Sequence, residues 1–144
     1  MSTRLCRFAC LTAALGVSPA AADVWGVPYV VDGDSLEIDG ERVRLNGIDA
    51  VEGPQECRDP NGRDWACGRA AAAALGDFLD ASLPTYCEEV DIDLYGRIIA
   101  ICSRDDGAEV NAWLVAKGWA LDYERHSGGA YAKLERGATF ARRP

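Results

Sequence analysis

A two-residue turn constrains this chain more than any other feature. Asp39-Gly40 stands between Ser35-Leu36-Glu37-Ile38 and Arg42-Val43-Arg44-Leu45-Asn46, two runs that alternate polar and apolar. Asp-Gly in that setting specifies a type I′ β-hairpin. Successive strand residues point to opposite faces, so Arg44 must face away from Val43 and Leu45. A cation is thereby fixed on rigid backbone. Asp32-Gly33-Asp34 precedes the hairpin as a tight turn in which Gly33 can take positive φ, and Asp49-Ala50-Val51-Glu52 follows it. Four carboxylates, Asp32, Asp34, Asp49 and Glu52, therefore flank the short meander that carries Arg44. Two or three carboxylates with a backbone carbonyl form the oxygen-rich set that a hard cation such as Ca²⁺ takes, and an adjacent guanidinium suits a phosphate oxygen.

The chain opens with Arg4 and Arg7, an apolar run from Phe8 to Val17, and Ser18-Pro19-Ala20-Ala21-Ala22. That is the pattern of a secretory signal peptide cleaved after Ala22. The run is too short to span a bilayer, so no stable membrane insertion is expected after cleavage. The expected organisation is a signal peptide over 1–22 and one domain over 23–144, a length that supports a single core. Cleavage removes Cys6 and Cys10 and leaves Cys57, Cys67, Cys87 and Cys102, an even number in a small exported domain. Four cysteines allow three connectivities. Cys57 and Cys67 bracket one Pro/Asn/Gly-rich loop, while Cys87 and Cys102 fall on two strands of a hairpin, which favours 57 with 67 and 87 with 102. Zinc is the competing use, weakened by the absence of a C-x-x-C pair and by a single histidine, His126. Losing Arg4 and Arg7 moves the formal net charge from −8 to −10. Any capture of a polyanion must then be local.

Val24 to Val31 reads as a first strand, with Gly26 and Pro28 pointing to a bulge or an edge. Gly53 to Cys67 is a loop. Gly68 to Ala81 is a helix on propensity, with Leu75, Phe78 and Leu79 as its packing stripe. Pro84 to Asp91 and Arg97 to Arg104 are strands, the second made a core strand by Ile98, Ile99 and Ile101. Val110 to Lys117 is a short helix stopped by Gly118. Trp119 to Tyr123 is a last strand, and Ala130 to Arg143 a terminal helix with Tyr131, Leu134 and Ala138 inward. Five strands with about three helices, one of them after the third strand, outline an α+β fold built on an OB-type barrel.

Tyr95-Gly96-Arg97 sets a second arginine at the start of a core strand. Taken with Asp32-Gly33-Asp34-Ser35, Arg44, Asp49-x-x-Glu52 and Val110-Asn111-x-x-Leu114-Val115-x-x-Gly118-Trp119-Ala120, in that order, the chain closely resembles the thermonuclease family, the staphylococcal nuclease-like domains. The resemblance runs from about Val24 to the terminal helix, and the paired cysteines are similar to those of an exported bacterial branch. It implies Ca²⁺-dependent hydrolysis of phosphodiester bonds in DNA and RNA, with 3′-phosphate products and a preference for single strands. Asp34 and Asp49, with the Ala50 carbonyl, match the metal ligands. Glu52 matches the glutamate that holds or deprotonates the attacking water, and Arg44 and Arg97 match the arginines that grip the scissile phosphate. Tyr95 and Tyr123 match aromatic positions that flank the nucleotide. Val51 replaces a proline common in the family, and Leu94 stands where the staphylococcal protein has a lysine. The resulting expectation is a monomeric nuclease, secreted or periplasmic. The alternative is a catalytically idle module of the same fold that binds nucleic acid or serves the cell envelope, against which the intact set of carboxylates and arginines argues.

Overall fold

A computed structural model describes residues 22–141; the expected signal peptide, Ala22 apart, lies outside the described residues. The segment expected as one first strand is two, β1 (Val24–Gly26) and β2 (Pro28–Asp32). Between them in the sheet lie β3 (Ser35–Ile38), β4 (Glu41–Leu45), β8 (Thr85–Ile92) and β9 (Ile98–Arg104). The six-stranded mixed sheet runs β1, β8, β9, β4, β3, β2. Its two edges are consecutive pieces of one chain segment, so the sheet returns on itself across the bend at Val27. A Cβ on Gly26 would stand 3.0 Å from the Ile38 Cγ2. Closing this seam therefore requires a residue without a side chain.

The hairpin forms as its turn dictates, with Asp39 at φ 55° and Gly40 at φ 87°, both positive as a type I′ turn demands. Leu36, Ile38, Val43 and Leu45 are buried, and Arg44 lies on the other face. In β9 the period of two selects Ile98, Ala100 and Cys102 for the core and leaves Ile101 exposed. The strand is interior to the sheet, as expected of a core strand, but residues of opposite parity cannot share a face, so Ile98 alone of the three isoleucines is buried. β4 and β9 are parallel, with Val43 beside Ile98 and Arg44 beside Ile99.

β5 (Ile48–Ala50) pairs with β10 (Ala120–Asp122) as a separate ladder. The expected loop contains a minimal hairpin of β6 (Cys57–Arg58) and β7 (Asp64–Trp65). A disulfide joins Cys57 to Cys67 across it, and a second joins the cross-strand neighbours Cys87 and Cys102.

Helix α1 (Cys67–Asp80) buries Ala71, Leu75 and Leu79. Helix α2 (Val110–Ala116) buries Val110, Leu114 and Val115, while its Trp113 stacks on Phe78 of α1 at 4.0 Å. A single turn, α3 (Glu124–Ser127), follows β10, and with α4 (Ala132–Ala141) it makes four helices among the described residues where about three were expected. Leu134 is exposed and not inward. The stripe beginning at buried Tyr131 continues through Glu135, whose carboxylate accepts the Asp122 N–H at 2.9 Å, to buried Ala138.

One buried polar side chain ties these layers together. Asn111 of α2 accepts the Cys102 N–H at 3.1 Å and donates to the carbonyls of Asn46 at 2.9 Å and Ala100 at 3.3 Å. Replacing it by alanine leaves a buried amide of β9 unpaired. Asn111→Ala is expected to lower stability by about 1–3 kcal/mol in urea unfolding; a loss near zero would show that the network does not secure α2. Mass spectrometry of a non-reducing digest should link the peptides carrying Cys57 and Cys67, and those carrying Cys87 and Cys102. Any other linkage contradicts this register.

Candidate active site

Asp34 stands at the head of β3 with 5% of its surface exposed. Arg44 Nη1 lies 3.3 Å from its Oδ1 and Nη2 3.1 Å from its Oδ2, and the Ser35 hydroxyl donates to Oδ1 at 3.0 Å. Strand register creates this arrangement, because Ser35 and Arg44 are cross-strand neighbours. The Ala50 backbone on β5 lies near enough to add a small downward pull on the same carboxyl. Burial nevertheless pushes the Asp34 carboxyl up to about 6, outweighing the opposing pull of Arg44 and Ser35, with Asp32 adding a smaller upward push. Desolvation exceeds what the protein's donors return, which is the condition under which a further cation is favoured.

The turn before β3 is held by contact. Gly33 is not at positive φ, so the turn does not use the left-handed freedom that glycine offers. A Cβ there would stand 3.0 Å from the Val51 carbonyl oxygen and 3.1 Å from the Ala50 Cβ. Glycine lets the turn press against the end of β5. Gly68 serves the same purpose from α1, where a Cβ would fall 1.9 Å from the Glu52 carbonyl oxygen. Gln55 brackets Glu52, accepting its N–H through Oε1 at 3.2 Å and donating its own N–H to the Glu52 carbonyl at 2.9 Å. The segments bearing Asp34, Ala50 and Glu52 are thus packed into one seam. Asp49 and Glu52 are exposed, and neither carboxylate has a protein partner among the described residues.

Arg97 immediately precedes β9. It lies two residues before Ile99, the parallel neighbour of Arg44, so the strand's period of two, extended by one residue, sets both arginines to the same side of the sheet. Strand spacing and rise place their Cα atoms about 8 Å apart. Asp93 clamps Arg97, accepting Nε at 2.7 Å and the backbone N–H at 2.9 Å, along with the Tyr95 N–H at 2.9 Å. Desolvation acts upward on Asp93, but these hydrogen bonds together hold it below the usual carboxylate range. The terminal nitrogens of Arg97 have no partner among the described residues. Arg44, by contrast, spends both of its own on Asp34. Asp93 was not singled out by the sequence reading, although Asp-x-x-Gly-Arg carries the signature of an Asx turn. Tyr95 is 81% exposed and its ring centroid is 5.8 Å from the Arg97 guanidinium carbon. Tyr123 stands at the head of α3 with its ring 4.9 Å from that of His126.

The donors here are oxygens. Among the described residues no three of His, Cys, Asp and Glu converge in a ready metal cage. The chain can offer two carboxylates and a carbonyl, a set that fits a hard cation completing its shell with water and substrate, and does not fit zinc.

A profile of the family described as "Staphylococcal nuclease homologue" matches residues 42–143. The chain is 46% identical over 119 residues to the succinoglycan biosynthesis protein ExoI of Rhizobium meliloti, covering 83% of this chain and 62% of that one. It is 33% identical over 111 residues to an uncharacterized endonuclease of Escherichia coli, covering 74% and 65%. The chain thus spans less than two thirds of the length of these relatives. A match over most of the chain, together with a sheet that returns on itself and sets two arginines to one side, places this chain in the staphylococcal nuclease homologue family, whose domain is an OB-fold.

Proposed function

We propose that this chain is an exported, monomeric, Ca²⁺-dependent nuclease that hydrolyses phosphodiester bonds of DNA and RNA, preferably in single strands, to 3′-phosphate products. The carrying observation is the placement of Arg44 and Arg97 to the same side of the sheet, with Arg97's fork held open by Asp93. Family membership and the relatives named as endonucleases agree with it. Export is supported by the disulfides Cys57–Cys67 and Cys87–Cys102.

Asp34, Asp49 and the Ala50 carbonyl would hold the cation, which when bound draws off the negative charge that builds on the phosphate. The remaining work belongs to the chain. Arg97 presents two parallel N–H donors to a phosphate oxygen on the leaving-group side, where charge develops as the ester bond breaks. Glu52, its carboxylate free and its backbone fixed by Gln55 and Gly68, orients a water and can accept its proton. Arg44 must change partners, releasing Asp34 as it takes up the phosphate. Tyr95 lies beside the phosphate-binding fork and offers a ring to the adjoining sugar or base.

The Arg44–Asp34 pair also supports a second reading, a non-catalytic binding module in which that pair is purely structural. The relative named for succinoglycan biosynthesis leaves room for such an envelope role. Incubating the purified protein with single-stranded DNA and RNA separates the two. Cleavage should require Ca²⁺, stop on chelation, and fall by about 10²–10³-fold in Arg97→Ala. Binding without cleavage establishes the module, and cleavage indifferent to chelator and to Arg97→Ala overturns the mechanism.

A pH dependence follows from Asp34. Its native carboxyl keeps its proton to about 6 while the unfolded chain releases it near 3.8. The native state binds more protons between these values, so this group's contribution to stability falls as pH rises through them. In chelator, urea unfolding should show wild-type stability declining between about pH 4 and pH 6 relative to Asp34→Asn. A constant difference across that interval contradicts the raised carboxyl.

A further inference from the structure

Beyond the carboxylates and arginines, the described residues enclose a cleft of about 720 Å³ between the disulfide-stapled loop and the turn from α2 into β10. That volume falls within the roughly 300–1,000 Å³ of small-ligand sites. One end is formed by Asp49 and Ala50, the same strand that borders the candidate active site. Two indoles line it, Trp65 from β7 and Trp119 from the turn after α2, each partly exposed. Two cations line it as well, Arg58 and Lys117. In a chain of formal net charge −8, two lining cations against one lining carboxylate, Asp49, make this stretch of surface less acidic than the chain as a whole. Arg58 is neutralised in part by Asp64 at 3.1 Å, whereas the Lys117 ammonium has no partner among the described residues.

Flat aromatic faces next to an unpaired cation are what a single-stranded nucleic acid recognises, because every base has a face to stack and every linkage carries an anion. We propose that this cleft is a nucleotide subsite, holding one base of the bound strand against Trp65 and Trp119 while Lys117 and Arg58 meet the neighbouring phosphates. It rests on the phosphodiesterase reading for the identity of the strand. It adds to that reading the element an acidic nuclease lacks, a place where attraction for the backbone is concentrated. The Cys57–Cys67 bridge forms part of the cleft wall, so the loop carrying Arg58 and Trp65 is held in position before any ligand arrives.

Binding and turnover test it separately. Purified protein in chelator, where nothing is cleaved, is titrated with a short fluorescent oligothymidylate at several salt concentrations. Trp65→Leu should weaken binding about ten-fold, within the range for losing one stacked base. Lys117→Ala should lower the salt slope by about 0.7, the value for one single-strand phosphate contact. With Ca²⁺, both variants should raise KM for the oligonucleotide while hydrolysing bis(p-nitrophenyl) phosphate, which has no neighbouring nucleotide, at the wild-type rate. An inactive protein that still binds through Trp65 and Lys117 overturns the hydrolytic reading and upholds the subsite. An active protein whose oligonucleotide affinity and KM are unchanged in both variants overturns the subsite alone, as does a wild type with no measurable binding. Equal loss on both substrates marks a general disturbance of the fold and likewise overturns the subsite.

Discussion

The ion pair between Asp34 and Arg44 is the interaction on which the candidate site depends. Arg44 lies on the side of the β3–β4 hairpin that faces away from the core, and the Asp34 carboxylate it meets at the head of β3 is almost wholly shielded from water. A charge so placed is tolerable only with its partners, and removing one partner of such a pair costs about 3–5 kcal/mol because the other is left uncompensated. Arg44, Ser35 and the Ala50 backbone supply the compensation, yet burial still holds the carboxyl near 6. The site is therefore electrostatically unfinished, because desolvation of the carboxylate exceeds what the surrounding donors return.

Everything around the pair serves to hold it at the junction of β3, β5 and α1. Gly33 lets the first turn press on Ala50 and Val51, and Gly68 lets α1 begin against the Glu52 carbonyl. The Cys57–Cys67 bridge closes the loop that runs from Glu52 into that helix, limiting the freedom of the unfolded loop as well as of the folded one. On the other side, Asn111 ties α2 to β9 and to Asn46 beyond β4, so the two strands that set the arginines keep their parallel register. Rigid backbone positions Arg97, and Asp93 fixes its orientation while leaving its terminal nitrogens available.

Much of this was legible in the sequence because it rests on local rules. The Asp39-Gly40 turn, the opposed faces of Arg44 and Val43, the alanine-rich helix and the glycine stop at Gly118 follow from turn chemistry, strand parity and propensity. What was not legible depended on neighbours distant in the chain. Gly33 was read as a conformational glycine, but its requirement is steric and comes from β5 and α1. Leu134 was assigned inward on hydrophobicity, and the period of its element overrode it. Asn111 looked like an ordinary helix residue until β9 and Asn46 surrounded it. Asp34 and Arg44 were each assigned to an external ligand, and their engagement with one another depends on burial that no local pattern encodes.

That mutual engagement makes a quantitative demand on the molecule. A cation that takes Asp34 frees Arg44 for a phosphate, and a phosphate that takes Arg44 leaves Asp34 to the cation, so each ligand should tighten the other by the same factor. Calorimetric titration of Ca²⁺ in the absence and presence of a non-cleavable phosphonate dinucleotide measures that factor directly. The account predicts mutual tightening of at least about five-fold in the wild type and its loss in Asp34→Asn. Ca²⁺ affinity that is undetectable in both conditions, or identical in both, would contradict it.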